Sequence, residues 1–183
     1  MYKRQSLIDI SDLSGIEFKL LSKEDILDKP DGSIIYNKGQ EINKYKLTKD
    51  GKLTITNLPM GKYELVEVKT LDGLVLNDKK YEIIFEQKDL TTKVYTEDLN
   101  ISNDTTIVEF SKTDITGNGE LVGAKLTILD SDNNVIDTWT SSENTHKIEG
   151  LVIGKEYILK EEISPKNYVI SSDVKFTIDN TKE

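Results

Sequence analysis

The sequence contains no cysteine and a single histidine, His146, among its 183 residues. The absence of cysteine excludes disulfides and thiolate metal sites. One histidine cannot form the cluster that holds most catalytic metals, and any Ser-His-Asp triad would have to use it. We therefore expect no metal site, no cofactor and no enzymatic activity.

Long apolar runs and excess basic charge are also missing. No segment approaches the roughly 20 apolar residues that cross a bilayer, so no membrane insertion is expected in this segment. Residues 1–4 lead into no apolar run, so we expect any secretion signal or anchor to lie outside the segment. With 33 acidic and 24 basic residues the formal net charge is −9. This charge disfavours nucleic acids as partners, because they attract basic surfaces.

Helical periodicity is missing too, and short alternating runs between turns take its place, which is typical of β-strands. A long polar insertion, Ser22–Gln40, interrupts the first half. Strands are predicted at Ile16–Leu20, Leu53–Ile55, Tyr63–Glu67, Tyr81–Phe85, Val94–Asn103, Ile107–Lys112, Val135–Thr140, Tyr157–Glu161 and Asp173–Ile178.

This strand pattern occurs twice along the chain. Leu121–Leu126 repeats Leu13–Phe18, and Tyr157–Glu161 repeats Tyr63–Glu67. An internal repeat of closely spaced strands with almost no helix predicts an all-β protein of two tandem β-sandwich domains. The boundaries that we expect are residues 1–104 and 105–183.

The repeated strand carries an acid on its apolar face. Tyr157, Leu159 and Glu161 point the same way, because side chains alternate along a strand, and Glu67 occupies the same position in the first copy. Lys112 likewise shares a face with Val108 and Phe110. A buried lysine and carboxylate can form a structural ion pair. Alternatively, desolvation yields a neutral amine nucleophile and a protonated acid, which could join the lysine to an Asn or Asp side chain.

Several motifs resemble Cna-B-type domains, the SpaA-type or prealbumin-like domains of Gram-positive surface adhesins and pilins. The run Tyr157-x-Leu159-x-Glu161-x-x-x-Pro165-x-x-Tyr168 is similar to the pilin E-box. The other matching motifs are Val108–Asp114, Leu121–Ala124 and Asp137–Ser141. The resemblance implies immunoglobulin-like or prealbumin-like β-sandwiches. It also implies an isopeptide bond between a lysine on the first strand and an Asn or Asp on the last, promoted by the E-box glutamate.

In the second domain the resemblance implies that Lys112 is the nucleophile and Glu161 the proton-shuttling acid. The strand Asp173–Ile178 matches the family's penultimate strand, and we expect the final strand, with its acceptor, to be absent from the sequence. Asn180 shares a face with Phe176 and is the remaining candidate acceptor. Alternatively, another chain could complete the domain by adding a strand.

In the first domain the resemblance implies Lys3 as nucleophile, Glu67 as catalytic acid and Asn103 as acceptor. Asn103 lies on the same face of its predicted strand as Leu99 and Ile101.

The resemblance implies stalk or spacer domains of a cell-wall-anchored adhesin or pilin, extracellular and joined to other domains of the same surface protein. An alternative is an adhesive module for a host extracellular-matrix protein, with the apolar cluster Ile34–Tyr36 of the insertion as contact. His146 and Trp139 are interpreted as packing residues.

Overall fold

A computed structural model describes residues 7–28, 30–86 and 98–179. The chain divides into an N-terminal unit, Asp9–Asp104, and a C-terminal unit, which combines Thr105–Glu183 with the residues up to Ile8. Within the described ranges, every element is a β-strand except one 3-10 turn, Leu13–Gly15. The prediction of an all-β fold is therefore confirmed. None of the described residues belongs to a helix long and apolar enough to cross a membrane.

The N-terminal unit is built on one antiparallel sheet with the strand order β4-β1-β5-β6. The short hairpin β2–β3 lies inside the polar insertion. The strands are β1 Glu17–Ser22, β2 Ile26–Leu27, β3 Ile34–Tyr36, β4 Glu41–Lys46, β5 Gly61–Lys69 and β6 Lys80–Phe85.

The C-terminal unit has two antiparallel sheets. One has the order β12-β11-β8-β9, and the other pairs β10 with β7. The strands are β7 Ile107–Phe110, β8 Lys125–Asp130, β9 Val135–Thr140, β10 His146–Glu149, β11 Glu156–Ile163 and β12 Val174–Thr177.

The two four-stranded sheets have the same topology. Read from the opposite edge, the C-terminal sheet runs β9-β8-β11-β12, so β1 corresponds to β8 and β5 to β11. In both sheets the register shifts beside the glutamate of the central strand, at Glu17/Phe18 opposite Glu67 and at Glu161/Ile163. The two halves that repeat in the sequence therefore share the same strand order and the same register shift beside the glutamate.

The core of the C-terminal unit lies between its two sheets. Ile128 of β8, Tyr157 of β11 and Ile148 of β10 are buried in one cluster, although Ile148 belongs to the other sheet. Val108 and Phe110 of β7 pack against the same cluster. Two sheets that bury apolar side chains against each other make a β-sandwich.

The core of the N-terminal unit follows from alternation along β1 and β5. Phe18 and Leu20 are buried on β1, as are Tyr63 and Leu65 on β5. The hydroxyl of Tyr63 donates a hydrogen bond to the carbonyl of Pro59 at 2.5 Å. This bond satisfies the polar end of a fully buried ring, and burial raises the pKa of Tyr63 to about 12.

Some strands differ from the predictions. Leu53–Ile55 is not a strand, and residues 98–103 are irregular, while residues 94–97 lie outside the described ranges. Five strands, β2, β3, β4, β8 and β10, are not among the predicted ones. Whether a segment forms a strand depends on whether a neighbouring strand pairs with it. β10 pairs with β7, whereas Leu53–Ile55 pairs with no strand among the described residues.

Leu7 and Ile8 belong to the C-terminal unit, whereas the expected boundaries place them in the first domain, residues 1–104. Both side chains lie against Gly150, where an added Cβ would come within 2.6 Å of Ile8 Cγ1. Gly150 also has φ +88, a left-handed conformation that glycine adopts without strain. Because Gly150 has no side chain, Leu7 and Ile8 can pack against its backbone in the C-terminal unit.

Ile128→Ala should lower the free energy of unfolding of the C-terminal unit by about 2–5 kcal/mol, because it leaves a cavity in a fully buried site. Urea unfolding followed by the fluorescence of Trp139, the single tryptophan, measures this. Ile115→Ala is the matched control, since Ile115 is fully exposed and should change stability by less than about 0.5 kcal/mol. Equal effects of the two substitutions would contradict the assigned core.

Candidate functional site

Glu161 and Lys112 meet inside the C-terminal unit. Glu161 lies on the buried face of β11 opposite Leu126, and its side chain is 1% exposed. Lys112 follows the end of β7, and its Nζ lies 3.2 Å from Glu161 Oε1. The contact is an ion pair outside hydrogen-bond geometry, so Oε1 accepts no hydrogen bond from any described residue.

The second oxygen of Glu161 is held by Ser171. The backbone N–H of Ser171 donates to Oε2 at 2.6 Å, and its hydroxyl donates to the same atom at 2.7 Å. Burial raises the pKa of Glu161, but these two bonds and the Lys112 ammonium outweigh burial, so the pKa lies below its ordinary value. Glu161 is therefore a carboxylate, which differs from the protonated acid that burial alone predicts.

The backbone of Lys112 is fixed by the turn that follows it. Its N–H donates to Glu120 Oε2 at 2.7 Å, and its carbonyl accepts from the N–H of Leu121 at 2.6 Å. The other carboxylate oxygen of Glu120 accepts from the Ser111 hydroxyl. Both peptide groups of the lysine are thus held, which fixes the starting point of its long side chain.

Glu67 and Asn103 meet in the N-terminal unit. Glu67 lies on β5 opposite Phe18 and is 2% exposed. Asn103 Nδ2 donates to Glu67 Oε1 at 2.7 Å, to the Thr70 hydroxyl at 3.2 Å and to the Val75 carbonyl at 3.1 Å. The structure thus brings the predicted acid and the predicted acceptor together, although residue 103 is not in a strand.

The pKa of Glu67 is shifted in the opposite direction from that of Glu161. Burial raises the pKa of Glu67, and the Asn103 amide, the Asn77 backbone N–H and the Thr70 hydroxyl only partly offset burial, so the pKa stays above its ordinary value. Its Oε2 has no hydrogen-bond partner within the described part of the chain. The neutral acid is therefore favoured here relative to an exposed glutamate.

Two predicted site residues, Lys3 and Asn180, lie outside the described residues. Their roles as nucleophile of the first domain and as candidate acceptor of the second stay predictions. The described residues include no group of three or more His, Asp or Glu side chains that could hold a metal ion.

His146 and Trp139 belong to the packing of the C-terminal unit. Their rings stack with centroids 4.2 Å apart, and Trp139 lies 5.5 Å from the ring of Phe110. His146 Nε2 is 2.8 Å from an oxygen of Asp137. The histidine therefore contributes to packing on β9 and β10, in line with its interpretation from the sequence.

Sequence reasoning missed the side chains that hold the paired groups, namely Ser171, Glu120 and Thr70. Ser171 stands ten residues after Glu161, as Asn77 stands ten residues after Glu67. This equal offset was the signal in the sequence that could have identified Ser171. Strand periodicity could not have identified it, because Ser171 lies in the irregular segment before β12.

The repeated strand order and the repeated buried carboxyl define the chain as two copies of one β-sandwich domain. A model of the SpaA family, described as a prealbumin-like fold domain, matches residues 8–100 and 106–183. The chain belongs to this family. A search of curated proteins found no match.

The chain is also similar to three solved structures. The Bacillus anthracis TIE protein is 23% identical, with a TM-score of 0.49, over 91% of this chain and 28% of that one. A C-terminal fragment of the pilus adhesin SpaC from Lactobacillus rhamnosus GG is 16% identical, with a TM-score of 0.49, over 96% and 79%. A streptococcal ancillary pilin is 26% identical, with a TM-score of 0.36, over 92% and 54%. The chain thus spans about a quarter of the TIE protein.

Glu161→Gln should destabilise the C-terminal unit in a pH-dependent way. The pKa of Glu161 is lowered in the folded state, so its carboxylate stabilises the unit above the ordinary value of 4.5. That contribution is lost as the pH falls through the folded pKa. At pH 7 we expect a loss of about 1–3 kcal/mol from the missing charge-assisted bonds.

Urea unfolding of wild type and variant, followed by Trp139 fluorescence from neutral pH to below 4.5, measures this difference. The exposed Glu143 supplies the control Glu143→Gln, which should match the wild type across the range. A deficit in Glu161→Gln that is independent of pH would show that the carboxylate charge does not stabilise the unit.

Proposed function

We propose that the chain is a pair of structural spacer domains of a bacterial surface protein, an adhesin or pilin, each stabilised by an internal lysine–asparagine isopeptide bond. The observation that carries the proposal is the hydrogen bond from Asn103 Nδ2 to Oε1 of the buried Glu67, 2.7 Å long. Membership in the SpaA prealbumin-like family supports the structural role. An extracellular location, attached to the cell wall through segments outside this chain, belongs to the same proposal.

The contact suits the chemistry because it involves the atom that must leave. In the first domain as predicted from the sequence, residues 1–104, the Lys3 amine attacks Asn103 Cγ, a new Nζ–Cγ bond forms, and the Cγ–Nδ2 bond breaks. Nδ2 then departs as ammonia with a proton that comes from the amine. The neutral acid favoured at Glu67 can donate a proton to that nitrogen and recover one from the amine.

The C-terminal unit would follow the same route with Lys112 as nucleophile. Its acceptor is an Asn or Asp side chain brought beside β7, either Asn180 or a residue on a strand that another chain or segment adds. In the described residues β7 pairs only with β10, so its other edge can take a strand. Each bond forms once and turns over no substrate, so the protein is not an enzyme.

Such a bond would stabilise a secreted domain as a disulfide does. A covalent link between distant residues reduces the conformational entropy of the unfolded chain, and the effect grows slowly with the length of the closed loop. Residues 3 and 103 are far apart in the sequence. A chain without cysteine gains a constraint that reducing agents do not remove.

Asn103→Ala should abolish the proposed crosslink between Lys3 and Asn103. Wild type is expected to be lighter than its sequence mass by one ammonia for this bond, and Asn103→Ala should lose that deficit. Lys3→Ala and Glu67→Ala should lose it too. Intact-mass spectrometry measures this, and tandem spectrometry of a digest identifies the joined residues.

Asn100→Ala is the matched control, because Asn100 is an exposed asparagine three residues away and should leave the mass deficit unchanged. A wild-type chain with the full sequence mass would overturn the proposal for this unit.

A second candidate function is adhesion to a host matrix protein through the β2–β3 hairpin. Leu27 and Ile34 are paired across the hairpin and are 51% and 53% exposed, and Ile35 is 39% exposed. Exposed apolar side chains that lie together are typical of interaction sites. This cluster is the specific observation in favour of a binding role.

Ile34→Ser should weaken binding to immobilised collagen or fibronectin by at least about tenfold if the hairpin is the contact, because a buried Ile side chain contributes about 1.5–3 kcal/mol. Solid-phase binding or surface plasmon resonance measures it. Ile84→Ser is the control, since Ile84 is similarly exposed on β6 of the same unit. A wild-type chain that binds neither collagen nor fibronectin would contradict the adhesive role and leave the structural role as the proposed function.

A further inference from the structure

The two oxygens of Glu161 have different partners. Oε2 accepts both the backbone N–H and the hydroxyl of Ser171, whereas Oε1 faces the ammonium of Lys112 at 3.2 Å. A carboxyl group is planar, so fixing one oxygen also fixes the direction of the other. Ser171 therefore determines where Oε1 points.

Ser171 is not a core residue. It is exposed and lies between β11 and β12, and only its hydroxyl and N–H reach inward to the buried carboxyl. An exposed serine normally bonds to water, so packing does not require its hydroxyl to turn inward. Hydrogen bonds to a charged group are roughly twice as strong as those between neutral groups, which favours this arrangement.

The N-terminal unit supplies an internal comparison. At the equivalent position, Asn77 directs its side-chain amide elsewhere, to Tyr81 Oη and to the carbonyl of Ser102, both at 2.8 Å. Only the backbone N–H of Asn77 acts on Glu67. The pKa of Glu67 is raised while that of Glu161 is lowered. One hydroxyl at this position is thus a principal difference between the surroundings of the two carboxyls.

We propose that Ser171 is a positioning residue of the C-terminal unit, whose hydroxyl holds Glu161 as a carboxylate with Oε1 directed at Lys112, ready to accept the proton of the amine. This assignment rests on the proposed function. A proton moves from the Lys112 ammonium to Oε1, which leaves a neutral amine and a neutral acid. After the amine has displaced ammonia from the acceptor amide, the acid returns its proton to that ammonia.

The two carboxyls therefore face different reacting groups. Glu67 lies beside the amide of Asn103, and Glu161 lies beside the ammonium of Lys112. Among the described residues, Lys112 is the charged group that acts on the Glu161 carboxyl, and Ser171 supplies its hydrogen bonds. The neighbour opposite Glu161 on β8 is the apolar Leu126.

Ser171→Ala tests the assignment, because it removes the hydroxyl and keeps the backbone N–H. The full chain, labelled with carbon-13 at glutamate carboxyls, is titrated by NMR, and the Glu161 signal is identified as the one missing from Glu161→Gln. We expect the titration midpoint of Glu161 to rise in Ser171→Ala, with a several-fold fall in its acid dissociation constant. Ser171→Thr, which retains a hydroxyl, should restore the wild-type midpoint.

Ser172→Ala is the matched control, since Ser172 is the exposed neighbour and should leave the titration of Glu161 unchanged. An unchanged midpoint in Ser171→Ala, or a threonine variant that behaves like alanine, would overturn the role of Ser171. Trp139 fluorescence verifies that each variant is folded.

The proposed reaction is tested separately by tandem mass spectrometry of digested wild-type chain. A crosslinked peptide at Lys112 supports the reaction. A lysine that stays unmodified when every candidate acceptor is present would refute the reaction in this unit, while the NMR titration would still decide whether Ser171 holds the carboxyl.

Discussion

The structure of each unit depends on accommodating one carboxyl group on the apolar face of a central strand. Glu67 and Glu161 occupy equivalent places on β5 and β11, each opposite a buried apolar residue of the neighbouring strand. A lone carboxylate is costly in such a place, so the surroundings must either keep it neutral or stabilise its charge. The groups that do this come from irregular segments, namely Thr70, Asn77 and Asn103 around Glu67, and Lys112 and Ser171 around Glu161.

The two units meet this constraint differently. In the N-terminal unit the acid is held by an amide from the end of the unit, a hydroxyl and a backbone N–H, and burial still dominates. In the C-terminal unit a serine and a lysine provide enough compensation to keep the charge. Equivalent folds can thus shift the pKa of equivalent acids in opposite directions, because the groups around each acid lie in loops that the sheet does not constrain.

The features that could be predicted from the sequence are those set by the alternation of side chains along a strand. The inward direction of Glu161, Glu67 and Lys112 follows from the pattern of one strand and its apolar neighbours. The pairing of Asn103 with Glu67 came from the family resemblance, and the structure brings them together although residue 103 is not in a strand. Ser171 was missed, because a loop residue that reaches a buried oxygen follows no strand periodicity, and its only sequence signal is its offset of ten residues from Glu161. For the same reason β10 was missed, since its strand character comes from pairing with β7.

The place of Leu7 and Ile8 beside Gly150 bears on the order in which the chain acquires its structure during synthesis. The N-terminal unit consists of consecutive residues, so it can fold as soon as Asp104 has left the ribosome. Leu7 and Ile8 are made earlier, yet the glycine that they pack against is made much later. They therefore remain without their native neighbours while the whole N-terminal unit folds, and the C-terminal unit is completed by residues that were made before that unit.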